Sequence, residues 1–226
     1  GNMELEQALA LIKPASQEAI QQAWNHWNNL ALPLHSLGRL QDTVVRIAGM
    51  IESPEVNLKK KALVVMCADN GVVEEGVTQS GQEVTLIVAE NFLQEKATAS
   101  ILCRQAGADI FPVDIGIASD SKIIPRKIAY GTKNMAKEPA MTRLEAKKAL
   151  EVGISMAKEL KEKGYGIIAT GEMGIGNTTT SSAVLSVLLE QPPSRVTGRG
   201  AGLDTTSYRR KISVIEEGIR LRRPDK

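Results

Sequence analysis

Aromatic side chains make up only 3% of this 226-residue chain, cysteine and histidine occur twice each, and the formal net charge is only +2. Each scarcity excludes something. Proteins that bind single-stranded nucleic acid need aromatic stacking platforms and a basic groove. Here 28 Lys and Arg are balanced by 26 Asp and Glu spread along the sequence, so no nucleic-acid partner is expected. Cys67, in an apolar run, and Cys103, in a helical pattern, suit reduced core thiols better than a disulfide framework or a metal site. His26 and His35 have no Cys or carboxylate at ligand spacing, so no metal site is expected there either. The longest apolar runs, such as Ala62 to Ala68, fall far short of the roughly 20 residues a bilayer requires, and Met3-Glu4-Leu5-Glu6 does not resemble a basic signal-peptide start. The default reading is therefore a cytoplasmic protein with no membrane partner. Gly1-Asn2 ahead of Met3 reads as an expression scar.

What is present is ordinary globular material, 42% hydrophobic and 24% charged, enough to bury a core. Residues 4 to 52 read as helices without a strand. Ile20, Ala23, Trp24, Trp27 and Leu30 recur at helical spacing, as do Leu37, Leu40, Val44, Ile47, Ala48 and Ile51, with breaks at Pro14-Ala15-Ser16 and Pro33. Ala62 to Ala68 is then the clearest strand, ending in Asp69-Asn70-Gly71. An acid just beyond the carboxyl end of a strand is a candidate site residue in an open parallel sheet. Helical spacing from Val84 to Ala106 stops at Gly107, and Ile110 to Ile115 forms a second strand, giving a βαβ unit with parallel strands. Residues 117 to 141 show no strong period. Lys122, Arg126, Lys127 and Lys133 make this loop locally basic, the pattern of a solvated surface that also suits an acidic ligand. Thr142-Arg143-Leu144-Glu145 is a capping box opening the next helix.

The stretch from Gly166 to Leu189 organises the rest. Ile167, Ile168 and Ala169 predict a strand buried on both faces, Gly171, Gly174 and Gly176 a tight loop, and Thr178, Thr179 and Thr180 the cap of a helix carrying Val184, Leu185, Leu188 and Leu189. A helix start with free N–H groups and threonine hydroxyls attracts phosphate. No Gly-Lys-Ser/Thr is present, so this is not a nucleoside-triphosphate loop. Gly198-Arg199-Gly200-Ala201-Gly202-Leu203-Asp204 supplies a second glycine-rich turn before a helix with Tyr208, Ile212, Ile215 and Ile219. The fold class these elements predict is α/β, a Rossmann-like open parallel sheet flanked by helices. Residues 1–58 form a small helical N-terminal subdomain and 59–226 a phosphate-binding α/β domain.

Gly171-Glu172-Met173-Gly174-Ile175-Gly176-Asn177-Thr178-Thr179 resembles the signature of the nicotinate-nucleotide–dimethylbenzimidazole phosphoribosyltransferase family. Ala68-Asp69-Asn70-Gly71-Val72, Gln82-Glu83-Val84-Thr85, Gly131-Thr132-Lys133-Asn134, Pro139-Ala140-Met141-Thr142-Arg143 and the turn from Gly198 to Asp204 resemble the family in the same order. The resemblance implies a metal-free, cofactor-free homodimer that moves phosphoribose from nicotinate mononucleotide to a benzimidazole, giving an α-ribazole phosphate and nicotinate. It also implies site residues: Glu172 as the acid near the bases and the candidate catalytic group; Gly174, Ile175, Gly176, Asn177, Thr178 and Thr179 as the phosphate-and-ribose loop. Thr78, Ser80 and Gln82 would form the base wall, with Asp69, Arg199 and Gly200 completing the substrate site.

The chain departs from the family's pattern in four places. Asn70 stands where the family usually has His, and Glu95-Lys96 where it has Gly-Gly. Ser80-Gly81 replaces an aromatic-proline, and the sequence ends before the family's C-terminal strands and Gly-Glu-Gly loop, whose glutamate is its general base. Two alternatives follow: a binding protein that keeps the phosphate loop without turnover, and a dinucleotide-binding oxidoreductase. The second is disfavoured because no Gly-x-Gly-x-x-Gly follows the first strand and no acid stands at the usual place about 20 residues beyond the glycine loop.

Overall fold

The computed structural model describes residues 3–226, so Gly1-Asn2 lies outside the described residues. Four parallel strands, β1 (Lys61–Ala68), β2 (Ala108–Gly116), β3 (Ile124–Pro125) and β4 (Ile167–Met173), form one sheet in the order β3-β2-β1-β4. The expected α/β class holds. Ahead of the sheet come α1 (Leu5–Ala10), α2 (Gln17–Asn28) and α3 (Arg39–Ile51). Between the strands lie α4 (Glu83–Leu93), α5 (Thr98–Ala106) and α6 (Arg143–Glu162), and after β4 come α7 (Asn177–Leu189), α8 (Pro193–Val196) and α9 (Thr205–Arg222). No helix among the described residues is long and apolar enough to cross a membrane.

Strand side chains alternate between two cores. Val65 and Cys67 pack on one face with Ala89 and Phe92 of α4, and Ala62 and Val64 on the other with Met156 and Leu160 of α6. Leu160 is 1% exposed, and burying such a side chain contributes about 1.5–3 kcal/mol. The capping box at Thr142 and Glu145 forms as expected and starts the long helix that covers this second face. Ala23, Val45 and Ala48 make a smaller core between α2 and α3, while α1 packs instead against α6.

Several expectations need correction. The single helical stretch from Val84 to Ala106 is two helices, because Glu95 turns left-handed (φ 54°) and the Lys96 amide closes back on Asn91 O at 3.1 Å. The buried face of α3 is Gln41, Val45, Ala48 and Gly49; of the expected stripe Ala48 is buried and Val44 and Ile47 half-buried, while Leu40 and Ile51, and Leu37 just ahead of the helix, are exposed. β4 is not buried on both faces: it is an edge strand, bonded only to β1, with Ile167, Ala169, Thr170 and Glu172 exposed. The expected helix α7 forms; it turns Thr179, Ser182 and Ser186 inward and leaves Val184, Leu185, Leu188 and Leu189 exposed. The basic loop divides: Lys122 and Lys133 are exposed as expected of a solvated surface, whereas Lys127 pairs with buried Asp114 at 3.0 Å and half-buried Arg126 with Glu159 at 3.3 Å.

Candidate functional site

β4 delivers its last residue, Met173, directly above the end of β1, and the chain must then turn without room for side chains. A Cβ on Gly174 would stand 2.2 Å from Ala68 O. One on Gly176 would stand 2.9 Å from Val73 Cγ2, and Gly176 also has φ 90°. Only glycine allows both this contact and this backbone conformation. Gly176 is itself the N-cap of α7 and no side chain caps the helix, so the three threonines do not serve as the cap. The Thr180 hydroxyl instead donates to Asn177 O at 3.0 Å. Asn177 N donates to Gly174 O at 3.1 Å and Thr179 N to Gly176 O at 3.1 Å. The amides of Gly176 and Thr178 have no acceptor among the described residues. Two free donors at the positive end of a 13-residue helix form a seat for an anion.

That seat opens into a cleft of about 150 Å³. Thr78 and Ser80 form one wall, Gly174, Ile175, Gly176, Asn177 and Thr178 the floor, and Arg199 and Gly200 the other wall, so these sequence-selected residues converge. The Gln79 side-chain amide joins the two walls by donating to Gly202 O at 2.7 Å, and the Thr78 hydroxyl donates to Ser80 O at 2.8 Å. Arg199 stacks its guanidinium 4.8 Å from the Tyr208 ring centre and donates to Leu203 O at 3.0 Å, which orders the second glycine turn.

Other selected residues stand outside the cleft wall. Asp69 is 2% exposed and accepts from Ala118 N at 2.7 Å, tying β1 to the segment after β2. Thr179 is fully buried, and Gln82 precedes α4, its carbonyl accepting from Thr85 N at 3.1 Å. Glu172 sits beside the floor, with its carboxylate accepting a short hydrogen bond from the Asn177 side-chain amide. Although Glu172 lies on the exposed edge strand, the protein packed around its carboxyl strips water and pushes its pKa up; the Asn177 bond acts in the opposite direction.

One participant was not selected from the sequence. Lys211 of α9 is 1% exposed, and its ammonium donates to Thr178 Oγ1 and to Gly198 O, each at 2.8 Å. It has no carboxylate partner among the described residues, and burial alone lowers its pKa. A buried cation held only by neutral oxygens, next to two free amides, is an electrostatic request for an anion. The sequence signals only its burial: Lys211 falls in helical register with Tyr208, Ile215 and Gly218, a stripe otherwise turned inward. A larger hollow of about 790 Å³ between the ends of α7 and α9 has no such convergence of donors.

The cleft thus brings two amides without acceptors and a buried ammonium close to a carboxylate whose pKa burial raises. The model of the DBI_PRT phosphoribosyltransferase family matches residues 12–226. The chain is 44% identical over 225 residues to the nicotinate-nucleotide–dimethylbenzimidazole phosphoribosyltransferase of Clostridium tetani, covering 98% of this chain and 62% of that protein. It is 45% identical over 224 residues to the enzyme of the same name from Acetivibrio thermocellus, covering 98% and 64%. Among solved structures, CobT from Thermus thermophilus aligns with a TM-score of 0.80 at 36% identity, covering 88% of this chain and 61% of that chain. The chain therefore spans less than two thirds of the length of these relatives.

Proposed function

Since the chain belongs to the DBI_PRT phosphoribosyltransferase family, we propose that it transfers phosphoribose from nicotinate mononucleotide to 5,6-dimethylbenzimidazole or a related base. The products are α-ribazole 5′-phosphate and nicotinate, in the lower-ligand branch of cobalamin biosynthesis. The observation that carries this reading is the convergence of the Gly176 and Thr178 amides with the buried Lys211 ammonium on one anion seat. A phosphate there would anchor the ribose while the bond from C1′ to the pyridinium nitrogen breaks and its electron pair leaves with nicotinate. The azole nitrogen then bonds to C1′, and its N–H proton passes to a base. Glu172 is the carboxylate the cleft offers for that proton, and its negative charge also stabilises the positive charge that develops on the ribose. Thr78, Ser80 and Gln82 would border the acceptor base, Asp69 and Thr179 would support the site from within, and Arg199 and Gly200 would close it.

We assign residues 1–58 to a helical subdomain and 59–226 to the phosphate-binding domain of a cytoplasmic homodimer. The exposed apolar side chains Leu40, Met50 and Ile51 of α3 support a subunit contact. The test is to incubate the purified protein with nicotinate mononucleotide and dimethylbenzimidazole and to assay α-ribazole phosphate and nicotinate by mass. Equimolar formation of the two is the expected result. Folded protein that forms neither would overturn the proposal.

A further inference from the structure

Ile175 stands at the crest of the glycine loop, and side chains from two other elements hold both of its backbone polar groups. The hydroxyl oxygen of Thr85, a fully buried residue in the first turn of α4, accepts from Ile175 N at 3.0 Å. The side-chain amide of Asn70, just past β1, donates to Ile175 O at 3.2 Å, and its carbonyl oxygen lies 3.3 Å from the Thr180 hydroxyl, whose one hydrogen is shared with Asn177 O. A trans peptide is planar, and its C=O and N–H point in opposite directions. Drawing Ile175 O down onto Asn70 therefore aims the next N–H, that of Gly176, outward into the cleft. In the preceding plane, drawing Ile175 N–H onto Thr85 turns Gly174 O the other way, where it accepts from Asn177 N at 3.1 Å and starts α7.

We propose that Asn70 and Thr85 are positioning residues that set the two peptide planes around Ile175 and so aim the anion-binding amides. Neither lines the cleft, so both act through the loop. The inference rests on the phosphoribosyl-transfer reading for its substrate, but the aiming can also be measured without turnover. A burial argument alone would assign Thr85 to packing, which Val would satisfy equally well. The aiming role requires its oxygen.

The test compares Thr85→Val, Thr85→Ser and Asn70→Asp in the full chain, the last of these keeping the acceptor for Thr180 while removing the donor to Ile175 O. Losing one aimed donor is expected to raise KM for nicotinate mononucleotide about tenfold in T85V and N70D with kcat within about threefold of wild type, and T85S is expected to restore KM. Amide hydrogen exchange supplies the second reading: Ile175 should exchange about tenfold faster in T85V than in wild type or T85S. Unchanged KM in both T85V and N70D, or unchanged exchange at Ile175 in T85V, would overturn the proposal. If the wild type forms no product, the reaction reading fails by itself. The aiming is then decided with inorganic phosphate, which should slow exchange at Gly176 in wild type and not in N70D; equal protection in both would overturn it.

Discussion

At the end of β2, Asp114 meets Lys127 at 3.0 Å, and the remaining valences are filled: Ser121 donates to Asp114 at 2.7 Å, Ile117 N at 3.0 Å, and Lys127 also donates to the carbonyls of Ile117 and Ser119. Beyond β4 on the same sheet edge, Lys211 is more deeply buried but among the described residues meets only a hydroxyl and a carbonyl, and Glu172 only an amide. Both regions bury charge at a carboxyl strand end, where α/β sheets place their ligands. The first is complete within the protein and locks the basic loop down. In the second, Lys211 has no carboxylate partner among the described residues, and the proposed anion seat rests on that imbalance.

Glu172→Gln would test the open region most severely. It keeps the bond to Asn177 while removing the proton acceptor, and transfer should fall by about 10²–10⁴, as for loss of a general base, in a continuous assay of nicotinate release. Lys127→Met should show the opposite profile. It leaves Asp114 buried without its cation and is expected to lower unfolding stability by about 3–5 kcal/mol in urea titrations, with transfer per folded molecule retained. Lys211→Met should separate the regions cleanly. Affinity for nicotinate mononucleotide should drop by about 10–150-fold, the equivalent of a charged hydrogen bond worth about 1.5–3 kcal/mol, while the melting temperature holds or rises.

The smallest effects are those of pH. The lysine pKa is lower in the folded chain than in the unfolded one, so the unfolded chain binds the extra proton between the two values. Stability should therefore rise with pH across that window, while phosphate affinity falls as pH passes the lowered value. Lys211→Met should abolish both trends. For Glu172 the raised pKa means that transfer should decline on acidification with a midpoint above the ordinary glutamate value, readable in a pH profile of kcat/KM.

Much of the scaffold was legible because it obeys period and capping. The β1 run, the Thr142–Glu145 box and the glycine loop each carry a local signal that no tertiary contact overrides. β4 was misread because its environment depends on neighbours: an apolar triplet such as Ile167-Ile168-Ala169 is the same string at the edge of a sheet as at its centre. β3, only Ile124–Pro125, is too short to show any period. Within the site, the loop and the turn from Gly198 to Asp204 could be found from their glycines, whereas the wall of Thr78 and Ser80 came from the family resemblance. Lys211 was hidden because its long apolar stem fits a buried stripe, and nothing local reports that its ammonium ends beside Thr178, 33 residues earlier in the chain.

The most direct measurement is calorimetric titration of nicotinate mononucleotide and of its dephosphorylated riboside into wild type and Lys211→Met. If the seat formed by Gly176, Thr178 and Lys211 holds the phosphate, wild type should bind the nucleotide at least about tenfold more tightly than the riboside, and the variant should lose most of that preference. An equal preference in both proteins would place the phosphate elsewhere and contradict the assignment of the cleft.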